Sequence, residues 1–235
     1  MLTRSKTPEN LFFTSRAKAA DAAANAIAAA VEKQPCTLFL SGGSTPGPVY
    51  ENLSHTCLDW RRVNVAPVDE RWVDENDSGS NARLIKGTLI QNQAASAPFT
   101  PMKSPHANPE TGWGSVEMAY QQLPAPYYVV LGMGEDGHVA SWFASAPEYG
   151  SLMQSKGRQL VAPVNPVRSD ITGDYTSRMT ITPAVLRSCT KAFLLINGVT
   201  KIRLLQKWLK NDNPPLPIHH ALDSLGSRLT IFTCE

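Results

Sequence analysis

The chain has 235 residues, of which 42% are hydrophobic and 18% charged, with a formal net charge of +2. That balance excludes a disordered polymer and leaves ample apolar material for a core. Near-neutral charge without a Lys or Arg run speaks against nucleic acid or an anionic membrane as partner, while a small anionic ligand stays compatible.

The opening stretch, MLTRSKTPENLFF, lacks the apolar core of a signal peptide. No later stretch approaches the roughly 20 apolar residues needed to span a bilayer, so a cytoplasmic protein is expected. Residues 15–32 are alanine-rich behind Thr14 or Ser15, which predicts a capped helix ended by Pro35. Residues 36–40 (CTLFL) read as a buried strand, followed by SGGSTPG and a short helix over about 46–53. A strand over 63–68 runs into DERW, and the polar loop DENDSGSN precedes a helix over 82–91. Residues 93–114, rich in Pro, Ala, Ser and Asn, read mostly as a loop, and 114–122 as a helix.

Residues 127–131 (YYVVL) form another buried strand, which opens into the turn GMGEDGHVASWF. Strands are expected at 159–164 and at 178–182 (RMTIT), after which Thr182 and Pro183 resemble a helix N-cap and first helical residue. A strand over 191–196 (KAFLLI) leads through Gly198 to a helix over 200–210. The proline-rich NDNPPLP segment then precedes a last strand over 228–233. Strands alternating with helices predict an α/β fold, a mainly parallel sheet covered on both faces. With no internal repeat and no low-complexity linker, residues 1–235 are expected to form one domain.

Four cysteines, Cys36, Cys57, Cys189 and Cys234, make no CxxC pair and no zinc-type His/Cys spacing. Cys36 and Cys189 lie in or beside apolar runs and read as small core residues.

Three turns carry chemistry. Ser41, Gly42, Gly43, Ser44 and Thr45 fall between a strand and a helix, where bare amides, hydroxyls and a helix N-terminus suit a phosphate. The pattern is neither GxxxxGK[ST] nor GxGxxG, so nucleotide fingerprints do not apply. A plain strand-helix turn with a Ser cap fits the same residues. Asp69-Glu70-Arg71-Trp72 also follows a strand end. Arg71 offers a planar donor fork for an oxyanion, and Asp69 or Glu70 could orient it by a charge-assisted bond. Trp72 reads as packing.

The third turn sets Asp136 and His138 two residues apart among Gly132, Gly134 and Gly137, at the end of a parallel strand. His138 is the candidate general base, since imidazole accepts a proton near neutrality. Asp136 could fix its tautomer or hold an attacking water. His55, His106, His219 and His220 read as structural. Arg178 opens a late strand and Lys201 sits in the first turn of a helix; either could meet a phosphate, and each taken alone reads as surface.

With these turns in hand, the chain resembles the glucosamine-6-phosphate isomerase/6-phosphogluconolactonase family. The resemblance is carried by LFLSGGSTP (38–46), VDERWVDENDSGSNARLI (68–85) with its Ser80-Asn81 pair, LGMGEDGHVASWF (131–143) and, more loosely, RMTITPAVL (178–186). It implies a three-layer α/β/α sandwich around a mostly parallel, Rossmann-like sheet. It also implies hydrolysis of 6-phospho-D-glucono-1,5-lactone with no metal or organic cofactor, and a small phosphosugar lactone as partner. The sequence does not fix the oligomeric state, a monomer being slightly favoured.

In that frame His138, Asp136 and Arg71 are the catalytic candidates. Ser41, Gly42, Gly43, Ser44, Thr45, Asp69, Arg178 and Lys201 are the substrate- and phosphate-binding candidates. After the histidine, Ser141-Trp142-Phe143-Ala144-Ser145 departs from the usual Leu-Phe-Pro-Gly. The rival readings are a glucosamine-6-phosphate deaminase and a sugar-phosphate-binding regulator without catalysis. Deaminases resemble DGHxAFNEP and carry Tyr after Asp-Glu; Arg71 and the lack of an acid after Ser141 favour the lactonase. A regulator would need no base, so Asp136 and His138 speak against it.

Overall fold

The computed structural model describes residues 7–209 and 216–235. Its strands, in chain order, are β1 (Glu9–Phe13), β2 (Cys36–Leu40), β3 (Val63–Pro67), β4 (Asp69–Arg71), β5 (Tyr127–Gly132), β6 (Val161–Val164), β7 (Arg178–Ile181), β8 (Lys191–Asn197) and β9 (Leu229–Cys234). Its helices are α1 (Arg16–Val31), α2 (Gly47–Ser54), α3 (Asn81–Thr88), α4 (Pro109–Gln121), α5 (Tyr149–Gln154), α6 (Pro183–Ser188), α7 (Val199–Leu209) and α8 (Pro217–Leu225).

Six strands pair in the order β1-β9-β8-β5-β2-β3, all parallel. Successive side chains on a strand point to opposite faces, and both faces here are apolar. Leu38, Leu40, Val65, Val130, Phe193 and Leu195 pack on one side with Ile27 of α1, Tyr50 of α2 and Ile85 of α3. Phe39, Val129, Leu131, Leu194, Ile196 and Ile231 pack on the other with Tyr120 of α4, Val185 of α6, Leu205 of α7 and Leu222 of α8. The expected α/β/α layering follows from this alternation.

A second sheet of three antiparallel strands, β4-β7-β6, adds to the expected parallel one. The strands expected at 159–164 and 178–182 belong to it. No helix lies between β6 and β7, and without a helical crossover two consecutive strands pair antiparallel. Its Met179, Ile181, Val161 and Val164 join the core on the α4 side of the main sheet.

Several elements differ from expectation. The helix expected from residue 114 starts at Pro109, capped by Asn108 through Thr111 N, so Gly112 and Gly114 lie inside a helix. A Cβ on Gly112 would come within 2.5 Å of the Trp72 ring, so this glycine serves helix packing rather than a loop. Trp72 itself is buried, as expected. The edge strand β1 and the helices α5 and α8 were not anticipated. In α8 the last proline of NDNPPLP, Pro217, stands in the first helical turn, while residues 211–215 lie outside the described residues, as does Lys210. Thr182 caps α6 as expected, accepting from Ala184 N. Cys36 and Cys189 are buried, and burial pushes both thiols up to about 11. No described helix is long and apolar enough to cross a membrane.

The strand order positions the site. From β2 the chain crosses through α2 to β3 on one side, while β5 pairs with β2 on the other. The carboxyl ends of β2 and β5 are therefore neighbours at a switch point, where open α/β sheets form a crevice. The glycine-rich turns after β2 and β5 both open there.

Candidate active site

A cleft of about 370 Å³ lies at these strand ends. Ser41, Gly42, Gly43, Ser44 and Thr45 line it, as do Asp69, Arg71, His138, Arg178 and Lys201. Asp136 alone among the sequence candidates does not. His55, His106, His219 and His220 lie elsewhere.

The turn after β2 is built for close approach. Gly43 sits at φ +96°, where L side chains are strained, and a Cβ on Gly42 would stand 1.8 Å from Asn81 Oδ1. No side chain caps α2, so the Ser-cap alternative does not hold. Ser41 is anchored through its backbone, which donates to Val130 O (3.1 Å) and accepts from the Tyr50 hydroxyl (2.8 Å). Its own Oγ is buried without a hydrogen-bond partner.

Strand periodicity sorts the DER residues. Glu70 points away from the cleft and accepts from the amides of Arg71 (2.8 Å), Asn81 (2.8 Å) and Ala82 (2.7 Å) and from Ser80 Oγ (3.2 Å). It thus serves the N-terminus of α3, a favourable place for a carboxylate. Burial raises its pKa against these bonds. Asp69 and Arg71 share the opposite, cleft-facing side. Asp69 accepts from Ser141 Oγ at 2.6 Å and Asn81 Nδ2 at 3.2 Å, with Arg178 Nη1 at 3.9 Å.

Neither acid holds the Arg71 guanidinium, contrary to expectation. Alternation turns Glu70 away, and Asp69 is spent on Ser141 and Asn81. Arg71 Nη1 instead donates to Gly79 O at 2.6 Å, its Cζ lies 5.7 Å from the Tyr175 ring centroid, and its Nε is buried without a partner.

Arg178 stands directly across the β4–β7 ladder from Arg71. Taken alone it read as surface, yet only 3% of it is exposed. It donates to Tyr175 O (2.6 Å), Thr172 O (3.1 Å) and Ser141 Oγ (3.4 Å), and lies over Phe143. Burial lowers its pKa to about 10, with Asp69 opposing and Arg71 adding to the drop. It remains protonated at neutrality. Two like charges directly opposed across a ladder are destabilising, and an anion between them would relieve the cost.

The turn after β5 holds the imidazole. Gly134 N donates to His138 O at 2.9 Å, and Gly137 adopts φ +80°. A Cβ on Gly134 would meet His138 Nδ1 at 2.1 Å, so only glycine admits the ring. His138 Nδ1 lies 2.6 Å from Asp136 Oδ1, which also accepts from the His138 amide (3.1 Å). Burial alone would raise the Asp136 pKa, but the hydrogen bonds and charge of His138 hold it below the usual value. An ionised Asp136 accepts a hydrogen bond from Nδ1–H, which keeps the proton on Nδ1 and leaves the Nε2 lone pair as the basic site. Because Asp136 stands off the cleft, its place suits fixing the tautomer rather than holding a water.

The departing segment after His138 is firmly seated. Ala140, at φ +49°, turns the chain so that Ser141 is fully buried. Trp142 Nε1 donates to Ile181 O at 2.7 Å, and Phe143 stacks 4.2 Å from the His138 ring. Lys201 reaches the cleft from α7 after Gly198, at φ +98°. Ser141 and Phe143, next to the histidine, and Tyr175 were not anticipated as parts of the site; no motif marks Tyr175. No group of three or more potential metal ligands occurs among the described residues.

Fold and cleft together define an α/β-sandwich protein with a cationic, donor-rich pocket at the carboxyl ends of its central strands. The family model of glucosamine-6-phosphate isomerases/6-phosphogluconolactonase matches residues 14–230, and the chain belongs to that family. It is 36% identical over 204 residues to a 6-phosphogluconolactonase of Xylella fastidiosa, covering 84% of this chain and 82% of that one. With a 6-phosphogluconolactonase of Pseudomonas aeruginosa it shares 34% over 213 residues, 88% and 86% of the two chains. The crystal structure of a 6-phosphogluconolactonase from Shewanella baltica matches with a TM-score of 0.89 at 27% identity, over 98% of this chain and 99% of that one.

Proposed function

We propose that this protein hydrolyses 6-phospho-D-glucono-1,5-lactone to 6-phospho-D-gluconate, a step of the oxidative pentose phosphate route. The observation that carries the reading is His138, oriented by Asp136 at 2.6 Å, on the same cleft wall system as a bare-amide turn and two opposed arginines. Relatives named 6-phosphogluconolactonase that match more than four-fifths of the chain support it.

In this reading the substrate phosphate meets the amides and hydroxyls of residues 41–45, with Arg178 and Lys201 supplying charge. His138 Nε2 takes a proton from water as the oxygen attacks the lactone carbonyl. Arg71 stabilises the negative charge that develops on the carbonyl oxygen. Collapse of the tetrahedral intermediate breaks the bond to the ring oxygen, and the imidazolium returns its proton there. General-base action is worth about 10²–10⁴-fold and an oxyanion donor about 10²–10³-fold. No covalent intermediate is needed. Asp69 keeps Asn81 and Ser141 in place beside the arginines.

The test is a coupled assay of 6-phosphogluconate formation on freshly generated lactone, corrected for spontaneous hydrolysis, alongside ammonia release from glucosamine 6-phosphate. Enzyme-dependent hydrolysis is expected and ammonia is not. Ammonia without lactone hydrolysis would move the assignment to a deaminase, and neither product would leave a sugar-phosphate-binding protein.

A further inference from the structure

Tyr175 lies in the connection between β6 and β7, far from either catalytic turn in sequence. Its hydroxyl donates to Asp77 Oδ1 at 2.9 Å, tying the ring to the polar loop after β4. Its ring lies 5.7 Å from Arg71 Cζ, and its carbonyl accepts from Arg178 Nε at 2.6 Å. Gly79 is pressed against the same ring, where a Cβ would stand 2.5 Å from Tyr175 Cζ. That glycine also supplies the carbonyl that receives Arg71 Nη1 at 2.6 Å, while its amide donates to Asp77 at 2.7 Å.

These contacts occupy one side of the Arg71 guanidinium. Nη1 is on Gly79 O, the Tyr175 ring lies alongside the group, and Nε is buried without a partner. Nε–H and the adjacent Nη2–H form the planar two-donor edge that matches a carboxylate or phosphoryl oxyanion. The geometry points to Tyr175 as a positioning residue. With Asp77 and Gly79 it holds Arg71 so that this edge serves an oxyanion of substrate or product, and its carbonyl sets Arg178 on the facing strand. A glycine at 79 is then required by the site as well as by the loop. The inference rests on the reading of Arg71 as a substrate-contacting residue.

The test is a double-mutant cycle: Tyr175→Leu and Tyr175→Phe, each in the unsubstituted and the Arg71→Lys protein, with melting curves to verify folding. Tyr175→Leu is expected to lower kcat/KM for the lactone by about 5- to 30-fold, and Tyr175→Phe, which keeps the ring, by less. In the Arg71→Lys background the same Leu substitution should cost less than about twofold, because an ammonium has no edge to orient.

Equal penalties in both backgrounds would overturn the assignment, as would wild-type kcat/KM in Tyr175→Leu. If Tyr175→Leu does not fold, Gly79→Ala, which displaces the ring without removing it, must show the same dependence on Arg71. An unsubstituted protein that turns over no lactone would sink the functional reading instead. The cycle is then decided on the Kd for inorganic phosphate by calorimetry, where non-additive losses support the role of Tyr175 and additive losses overturn it.

Discussion

The parallel and antiparallel sheets meet at one cleft and bring it different chemistry. From the parallel sheet come backbone and imidazole: the turn of residues 41–45 after β2 and the His138 turn after β5, each shaped by glycines at positive φ or under a packed side chain. From the antiparallel sheet come fixed charges: Asp69 and Arg71 on β4, and Arg178 facing Arg71 on β7. A turn at a strand end is shaped by its own few residues. A charge pair across a ladder exists only once two distant segments have been put in register; Asp69, 3.9 Å from Arg178, offsets part of its repulsion, and a bound anion would offset more.

The largest expected effect probes the parallel side. His138→Asn should lower kcat by about 10²–10⁴-fold with little change in KM or melting temperature. Full turnover in a folded His138→Asn protein would remove the base from the mechanism.

On the antiparallel side, Arg71→Gln should lower kcat/KM by about 10²–10³-fold. The ligand-free melting temperature should hold or rise, because the substitution removes a like charge opposite Arg178. A fall of several degrees by differential scanning calorimetry would mean that Arg71 stabilises the empty fold, and the contrast between the sheets would break.

A smaller effect is expected in acid. The Asp136 carboxyl is held below its usual value in the folded protein, so the unfolded chain binds its proton more readily. The stability it contributes is present above the unfolded value of about 3.9 and is lost as pH falls through the lower folded value. Asp136→Asn should flatten that loss, read from unfolding curves taken between about pH 5 and pH 2. An unchanged acid limb would separate Asp136 from His138.

The smallest concerns Ala140, a non-glycine residue at φ +49° beside the histidine. Ala140→Gly should stabilise by about 0.5–1 kcal/mol by relieving the left-handed conformation. That is a rise of a few degrees in melting temperature, at roughly 2–4 °C per kcal/mol. Destabilisation would show that the alanine methyl packs usefully there.

Most of the main sheet was legible in the sequence because its strands are buried on both faces and read as short apolar runs: CTLFL, YYVVL, KAFLLI. The edge strand β1 was not, since ENLFF is half exposed and takes its place by pairing with β9 rather than by burial. Nor was the start of α4, where Gly112 and Gly114 look like loop residues until Trp72 packs against the helix. All ten cleft-lining candidates were picked out from turn chemistry and motif resemblance.

Their partners were not. Asp69 or Glu70 was expected to orient Arg71; instead Asp69 accepts from Ser141 and Asn81, and Glu70 from the first amides of α3. Ser141 looked like a departure from pattern and bonds Asp69. Tyr175 carried no signal at all.

The sequence by itself determined the alternation of strands and helices, the bare turn at residues 41–45 and the Asp136–His138 pair, because each is set by local backbone freedom, burial period and spacing. Only the tertiary structure decided that Arg178 is buried, that it opposes Arg71, and that Tyr175 and Gly79 hold the guanidinium between them. Those relations join residues up to 107 positions apart, from Arg71 to Arg178. They depend on the register of an antiparallel ladder, which no local pattern of charges encodes.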